Sequence, residues 1–171
     1  MRYVDIVIAL TAGIVLSTAV GRIAAGGPSE VSAQALYSRQ AALEADLTRV
    51  AQTMPAGRFY FKPTPEASSF GQVITEIATK QHAQCAQMRA RPNALLDAGL
   101  SGRDGALARL QQSFEFCRPA FASLNELNAL DRIGPPADPA KSRVQLLTEL
   151  MSDTALTLGQ LSLYLQLSAR P

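Results

Sequence analysis

Four helix-length segments, in which apolar residues recur every three or four positions, constrain the fold of this chain more than any other feature. In the first segment Leu36, Leu43, Leu47 and Val50 keep this spacing, which places them on one face of an α-helix. No stretch of useful length alternates apolar and polar residues as a β-strand does. The predicted helices cover approximately residues 32–54, 69–91, 101–124 and 138–167. Four amphipathic helices in a chain of 171 residues predict a single all-α domain, a four-helix bundle.

Capping residues and prolines mark the ends of these segments. Residues 69–72, Ser-Phe-Gly-Gln, have the spacing of a capping box, in which the serine hydroxyl accepts from a backbone amide and the glutamine side chain reaches back. Asp138 is the predicted N-cap of the fourth helix, with Pro139 at its first position. Pro119 interrupts the third segment and predicts a kink or break near Cys117.

The charge of the chain excludes one class of partner. The formal net charge is +2, and no run of Lys and Arg is longer than a pair. A nucleic-acid-binding surface needs a basic patch or stripe that neutralises several phosphates. We therefore expect no nucleic acid partner.

The N-terminal part of the chain differs in character from the rest. Residues 6–20 form an apolar run that follows Arg2, and small residues come after it. As a helix this run would be about 22 Å long, short of the roughly 30 Å hydrocarbon core of a bilayer. We predict residues 1–33 as a secretory signal, cleaved after Ala33 or earlier after Ala19, and residues 34–171 as an exported domain, periplasmic or secreted. The alternative is an uncleaved anchor, which Asp5 favours and which alone would bring the domain to a membrane.

Two cysteines, Cys85 and Cys117, are compatible with three interpretations. In an oxidising compartment an even pair predicts a disulfide. Two buried thiols that face one core are the alternative. A catalytic thiol is the least favoured, because the chain has no Cys-x-x-Cys motif and a single histidine, His82. We expect His82 to lie on the flank of its helix with a local hydrogen bond.

Polar residues interrupt one face of the fourth helix. Asp153 and Thr157 lie one turn apart, and Gln160 and Tyr164 continue the same face. Gln81 interrupts the buried stripe of the second helix in the same way. The simpler interpretation of the fourth-helix face is a border with solvent, and the functional one is a pocket that includes Gln160, Tyr164 and Gln81.

The connection between the first two helices, FYFKPTP at residues 59–65, is unusually rich in aromatic residues and proline. It predicts either a plug at the end of the bundle or the rim of a site. We favour the plug, with Phe59, Tyr60 and Phe61 sealing one end and Ser69 starting the second helix.

Several segments together resemble the exported branch of the DinB-like proteins. They are residues 54–78 (MPAGRFYFKPTPEASSFGQVITEIA), Cys85, residues 113–117 (SFEFC) and residues 158–167 (LGQLSLYLQL), in matching order from about Ala33 onward. The resemblance implies an up-down-down-up bundle with a long connection between the second and third helices. It also implies cysteines at both positions that exported relatives often use, and bundles that often pair as homodimers.

Many members of that family hold a divalent metal with three histidines, one on the second helix and two on the fourth. The resemblance places these ligand positions on Glu76, Asp153 and Thr157, none of which is histidine. Two carboxylates and a hydroxyl suit Mg²⁺, Mn²⁺ or Ca²⁺ better than zinc or nickel. The favoured hypothesis is a non-catalytic binding or interaction module of unknown ligand, without a cofactor or metal site. The alternative is a metal-dependent transferase or hydrolase that uses Glu76 and Asp153.

Overall fold

The structure, a computed structural model, describes residues 28–91, 101–134 and 141–169. The helices are α1 (Pro28–Thr53), α2 (Phe70–Met88), α3 (Gly102–Ala122) and α4 (Arg143–Ser168). A short 3₁₀ turn, Ala56–Arg58, follows α1, and the two-residue strands β1 (Arg132–Ile133) and β2 (Lys141–Ser142) pair antiparallel before α4. The predicted all-α four-helix bundle is confirmed, and the described residues add the 3₁₀ turn and this small strand pair.

Contacts between α2 and α3 show that these helices are parallel. Gln81 accepts a hydrogen bond from Ser113, and one turn later Cys85 is bonded to Cys117, so both pairs are separated by 32 residues. Parallel neighbours require a connection that returns along the whole bundle. Helix α2 ends at Met88 and α3 begins at Gly102, as the predicted long connection requires, and residues 92–100 between them lie outside the described residues.

Contacts of α4 define its direction relative to α1 and α2. The start of α4 lies at the end of α2, where Arg143 donates to the Met88 carbonyl at 3.1 Å. The end of α4 lies at the end of α1, where the Ser168 hydroxyl is 3.6 Å from the Met54 sulfur. Helix α4 is therefore antiparallel to α2 and parallel to α1, which confirms the up-down-down-up order.

The core consists of two clusters of buried apolar side chains along the bundle. The cluster near the 59–61 block contains Leu47, Ala51, Met54, Phe59, Phe70, Val73, Ile74, Ile77, Ala78, Ala106, Leu110, Phe114, Leu161 and Tyr164. The cluster near the start of α1 contains Cys85, Met88, Cys117, Ala120, Phe121, Leu124, Leu146, Leu147 and Leu150. Burial of these stripes, more than helix propensity, stabilises the four helices.

Two predicted helix features are wrong. The N-cap of α4 is Ser142, which forms a capping box with Gln145, and not Asp138, which lies outside the described residues. Strand β2 takes residues up to Ser142, so the helix begins after it. The predicted break near Cys117 is the second: helix α3 continues through Cys117 and Pro119 and ends at Ala122, because a proline close to a helix end removes only one late hydrogen bond. The kink that was the alternative to a break stays a prediction.

The predicted signal segment lies mainly outside the described residues. Helix α1 begins at Pro28, so cleavage after Ala33 would remove the first six residues of the helix. Among the described residues, no helix combines the length and the apolar character that crossing a membrane requires.

Candidate functional site

The 59–61 block closes one end of the bundle, as predicted for Phe59 and Phe61 but not for Tyr60. Phe59 is buried and packs edge-on against Phe70, with ring centroids 5.3 Å apart. Phe61 packs edge-on against Tyr164 at 6.4 Å. Tyr60 is exposed. The block is thus a plug on its core side and the rim of a groove on its outer side.

The start of α2 is locked onto this block. Ser69 caps the helix and forms the predicted capping box with Gln72. The Gly71 amide donates to the Phe59 carbonyl at 3.0 Å, and a Cβ at position 71 would lie 2.7 Å from the Phe59 ring. Only glycine fits this contact, because real Cβ atoms do not approach other atoms so closely. The contact with Phe59 therefore fixes the position of the first turn of α2 relative to the 59–61 block.

A chain of hydrogen bonds connects Glu76 to the end of α4. The Ser68 hydroxyl donates to the Glu76 carboxylate at 3.0 Å, and the Tyr164 hydroxyl donates to the Ser68 carbonyl at 3.1 Å. Gln160 in turn donates to the Tyr164 oxygen at 3.3 Å. Glu76 and the predicted pocket residues Gln160 and Tyr164 therefore belong to one network, which fixes the connection before α2.

Asp153 has a different partner. The Lys80 ammonium lies 2.7 Å from the Asp153 carboxylate, across the α2–α4 interface. Lys80 is one turn after Glu76 on α2, so the two carboxylates are held by different groups. The Asp153 side chain is about three-quarters covered, which makes this pair part of the interface between the helices.

Thr157 lies half-buried one turn after Asp153. In the part of the chain that the structure describes, no three His, Cys, Asp or Glu side chains are grouped so that they could hold a metal ion. The donor set at the family's ligand positions does not fit the metal that the resemblance implies, because the carboxylate of Asp153 already contacts a cation of the protein itself.

A buried polar cluster, which the sequence analysis did not identify, lies beside these residues. The Gln81 amide donates to the Thr154 hydroxyl at 2.7 Å and accepts from the Ser113 hydroxyl at 3.2 Å. The Thr154 hydroxyl donates to a carbonyl of its own helix at 2.8 Å, whereas the single hydrogen of the Ser113 hydroxyl is shared between Gln81 and the Leu110 carbonyl, which lies 2.7 Å away. All three residues are buried. The cluster joins α2, α3 and α4, so Gln81 serves the core and does not face a pocket.

The predicted disulfide is present, between Cys85 and Cys117, with Cα atoms 5.2 Å apart and both residues buried. Such a bond is compatible with an oxidising, extracytoplasmic compartment. His82 is buried beside it and stacks on the Phe116 ring, with centroids 4.0 Å apart. The Arg89 guanidinium lies 4.6 Å from the centroid of the same ring. These contacts give His82 a packing role in the core.

A groove of about 930 Å³ runs along the outer face of α2. Its floor includes Phe59 and Ala106, and Tyr60 stands at one end. The polar residues that line the groove include Ser69 and Gln72 of the capping box, and Thr75 and Thr79 of α2. The charged residues that line it are Lys62, Glu76, Lys80 and Arg109. The volume lies within the range of about 300–1,000 Å³ that small-molecule sites have. The charge of Lys80 is neutralised by Asp153, so the groove has an apolar floor and a rim with charges of both signs.

A second groove, of about 570 Å³, lies between α2 and α4. Lys80 borders both grooves, and Asp153 lines only the second. The Lys80–Asp153 ion pair therefore lies at the boundary between the α2 groove and the α2–α4 groove.

One titrating group with a shifted pKa lies away from these grooves. Burial raises the pKa of Glu44 on α1, which a hydrogen bond from Gln40 and the charge of Arg118 partly oppose. The Gln40 amide donates to the Glu44 carboxylate at 3.2 Å, while the Gln40 oxygen is buried without a partner in the described residues. Glu44 is thus a destabilising charge at neutral pH.

Comparisons with known proteins bear on the fold alone. No family model matches the chain, and no curated protein matches it. A solved structure, described as a conserved protein from Enterococcus faecalis, aligns with a TM-score of 0.63 at 12% identity. The alignment covers 78% of this chain and 95% of that one. The four-helix fold is therefore shared with a known structure, which carries no information on activity.

Proposed function

We propose that this chain is an exported DinB-like bundle that has lost the family's three-histidine metal site and serves as a non-catalytic binding module. The observation that carries the proposal is the contact between the Lys80 ammonium and the Asp153 carboxylate. The ammonium brings positive charge to a position where the family resemblance implies a metal ligand. The parallel α2 and α3 helices and the buried disulfide support the DinB-like and exported parts of the proposal.

The side chains at the implied ligand positions have other roles in this bundle. Glu76 accepts from Ser68 and so holds the connection before α2. Asp153 neutralises Lys80. Mg²⁺ is usually held by one or two carboxylates and several waters, and here both carboxylates are engaged by groups of the protein, Glu76 by Ser68 and Asp153 by Lys80. These observations favour a binding module over the metal-dependent transferase or hydrolase.

Metal analysis of the untagged protein tests the proposal. We expect no stoichiometric metal and no saturable binding of Mn²⁺ or Mg²⁺ by calorimetry. One metal per chain that is lost in Asp153→Asn would overturn the non-catalytic hypothesis and favour the metal-dependent enzyme.

A histidine graft tests the family positions separately. In a Lys80→Ala background, we compare the pair Asp153→His/Thr157→His with the same pair plus Glu76→His. If the resemblance assigns these positions correctly, the third histidine should tighten Ni²⁺ binding at least about tenfold, or about 1.4 kcal/mol. Equal affinity in the two variants would show that position 76 does not converge with the other two.

The groove along α2 is the proposed binding surface. Its apolar floor and size fit a small apolar ligand, and Lys62 at its rim can contact an anionic group on that ligand. Anilinonaphthalene sulfonate, an apolar fluorophore with one negative charge, is a probe of that chemistry. We expect one molecule to bind each folded chain, with loss of binding in Ala83→Phe, which fills the groove. Ala155→Phe, at an exposed position of α4, is the matched control. Equal binding by both variants would place the probe elsewhere.

The predicted homodimer stays a prediction.

A further inference from the structure

The bundle end at which α1 begins has an apolar surface that the core does not use. We call it the proximal end: the start of α1, the end of α2, the 123–131 connection after α3, and the start of α4. Leu127 is 94% exposed there and Leu130 is 77% exposed. A single exposed leucine is ordinary in a protein surface, whereas two that lie three residues apart in one turn form a patch.

Hydrogen bonds hold this turn in a fixed shape. The Asn125 side chain accepts from the amide of Leu127 at 2.9 Å, and the Asn128 side chain accepts from the amide of Asn125 at 3.0 Å. The turn is also fastened to α4, because the Ala129 carbonyl accepts from the amide of Val144 at 3.0 Å. A connection with this many internal contacts presents Leu127 and Leu130 in a defined direction.

The turn lies directly beside the start of α1. A cavity of about 290 Å³ is lined on one side by Ala33, Gln34 and Tyr37 of α1 and on the other by residues 124–126. The first residue of α1 is Pro28. The chain therefore enters the bundle next to the exposed leucines.

What precedes α1 in the sequence identifies the surface that this end faces. Residues 6–20 are apolar, and residues 21–27 separate them from Pro28. Seven residues span at most about 25 Å. The opposite end of the bundle lies about 39 Å farther away, which is the length of the 26-residue helix α1. While residues 6–20 are in a bilayer, the proximal end is held close to its surface.

Charges around the leucines fit the headgroup region of such a surface. Arg91, Arg132 and Lys141 are exposed at this end and Arg143 lies half-buried, while the exposed acidic residues Glu126 and Asp131 adjoin Leu127 and Leu130 in the sequence. Lys141 pairs with Glu149 at 2.6 Å. Basic side chains around an apolar patch favour contact with phosphate headgroups while the apolar residues enter the interface.

We propose that, in the form of the protein that keeps residues 6–20 as the uncleaved anchor, the proximal end docks on the phospholipid surface, with Leu127 and Leu130 at the level of the headgroups. This interaction surface is separate from the groove on α2. It orients the bundle with its long axis away from the membrane, so that the 59–61 plug and Tyr60 lie at the distal end.

The absence of tryptophan from the chain gives a direct test. Leu127→Trp, Leu130→Trp and Leu163→Trp each introduce a single fluorophore at an exposed position, the first two at the proximal end and the third towards the distal end of α4. Each full-length variant is reconstituted into vesicles of phosphatidylcholine and phosphatidylglycerol. Unchanged far-ultraviolet circular dichroism shows that the bundle is intact.

We expect emission from the Leu127→Trp and Leu130→Trp variants to shift to shorter wavelength in vesicles and to be quenched by lipids with brominated acyl chains. Emission from the Leu163→Trp variant should keep its wavelength and stay accessible to iodide in the aqueous phase. Water-like emission from both proximal variants overturns the proposal. Quenching of all three variants also overturns it, because the bundle would then lie along the surface.

Discussion

Removal of the Cys85–Cys117 bond should destabilise the bundle by an amount that its place in the chain determines. The bond closes a loop with a sequence separation of 32. The chain-entropy model gives about 3.7 kcal/mol at 25 °C for a loop of that length. With an unfolding entropy of about 2.1 cal/mol/K per residue over roughly 140 residues, this corresponds to a fall in Tm of about 12 °C.

The assay is urea unfolding followed by circular dichroism, on the oxidised protein, the fully reduced protein and Cys85→Ala/Cys117→Ala. The reduced protein keeps both sulfur atoms, so its loss of stability reports the loop alone. The double variant also loses two buried sulfurs and should be the less stable of the two. The m-value should rise in both, because an unfolded chain without the cross-link exposes more surface.

Two results would refute this reasoning. If the reduced protein unfolds at the same urea concentration as the oxidised one, the bond does not constrain the unfolded chain as its sequence separation of 32 predicts. If a mild reductant opens the bond quickly in the native state, the sulfurs are not shielded. Both residues are at most 1% exposed, so reduction should need an opening of the bundle and should be slow without urea.

Two further predictions follow from single contacts. Gly71→Ala should lower the free energy of unfolding by about 1–3 kcal/mol through overpacking, because the new methyl group meets the Phe59 ring. Gly159→Ala is the control in the same urea assay. It should not be destabilised, because the space around position 159 is open. Glu44 has a raised pKa in the folded state, so the native state holds its proton to higher pH than the unfolded state and stability falls as pH rises through that window. Glu44→Gln should remove this fall and raise Tm at pH 7, and a Tm difference from wild type that does not change between pH 4 and pH 8 would contradict the assignment.

Local signals in the sequence identified those parts of the fold that depend on one helix at a time. The capping box at Ser69 and the buried stripe of α2 are present as predicted. The same Ser-x-x-Gln signal also stands at Ser142, but the Asp138–Pro139 pair suggested an earlier start for α4. Pairing of β1 with β2 decided between them, and strand pairing between such short segments leaves no periodic pattern in a sequence.

Contacts between helices could be predicted less well, because they depend on how each helix is rotated. Thr154 occupies a core position between Leu150 and Leu161, and its spacing alone could have identified it as buried. Its hydroxyl, however, makes threonine a weaker signal of burial than leucine. The pairing of Lys80 with Asp153 had no such signal, since it requires knowledge of which faces of α2 and α4 meet. The parallel order of α2 and α3 came from the family resemblance and not from any pattern within the helices.

The α2–α4 interface gives Asp153, one of the residues at which the resemblance implies a metal ligand, a partner within the protein. Two consecutive residues on each helix form two pairs: Gln81 with Thr154 in the core, and Lys80 with Asp153 at the rim. The inner pair is neutral and its donors and acceptors are satisfied, which a buried position demands. The outer pair is charged and partly solvated, where an ion pair costs little desolvation. A metal at this position would require Lys80 to be displaced while the neighbouring Gln81 keeps its contact with Thr154. We therefore expect histidines introduced at positions 76, 153 and 157 to bind Ni²⁺ more tightly when Lys80 is replaced by alanine than when it is kept.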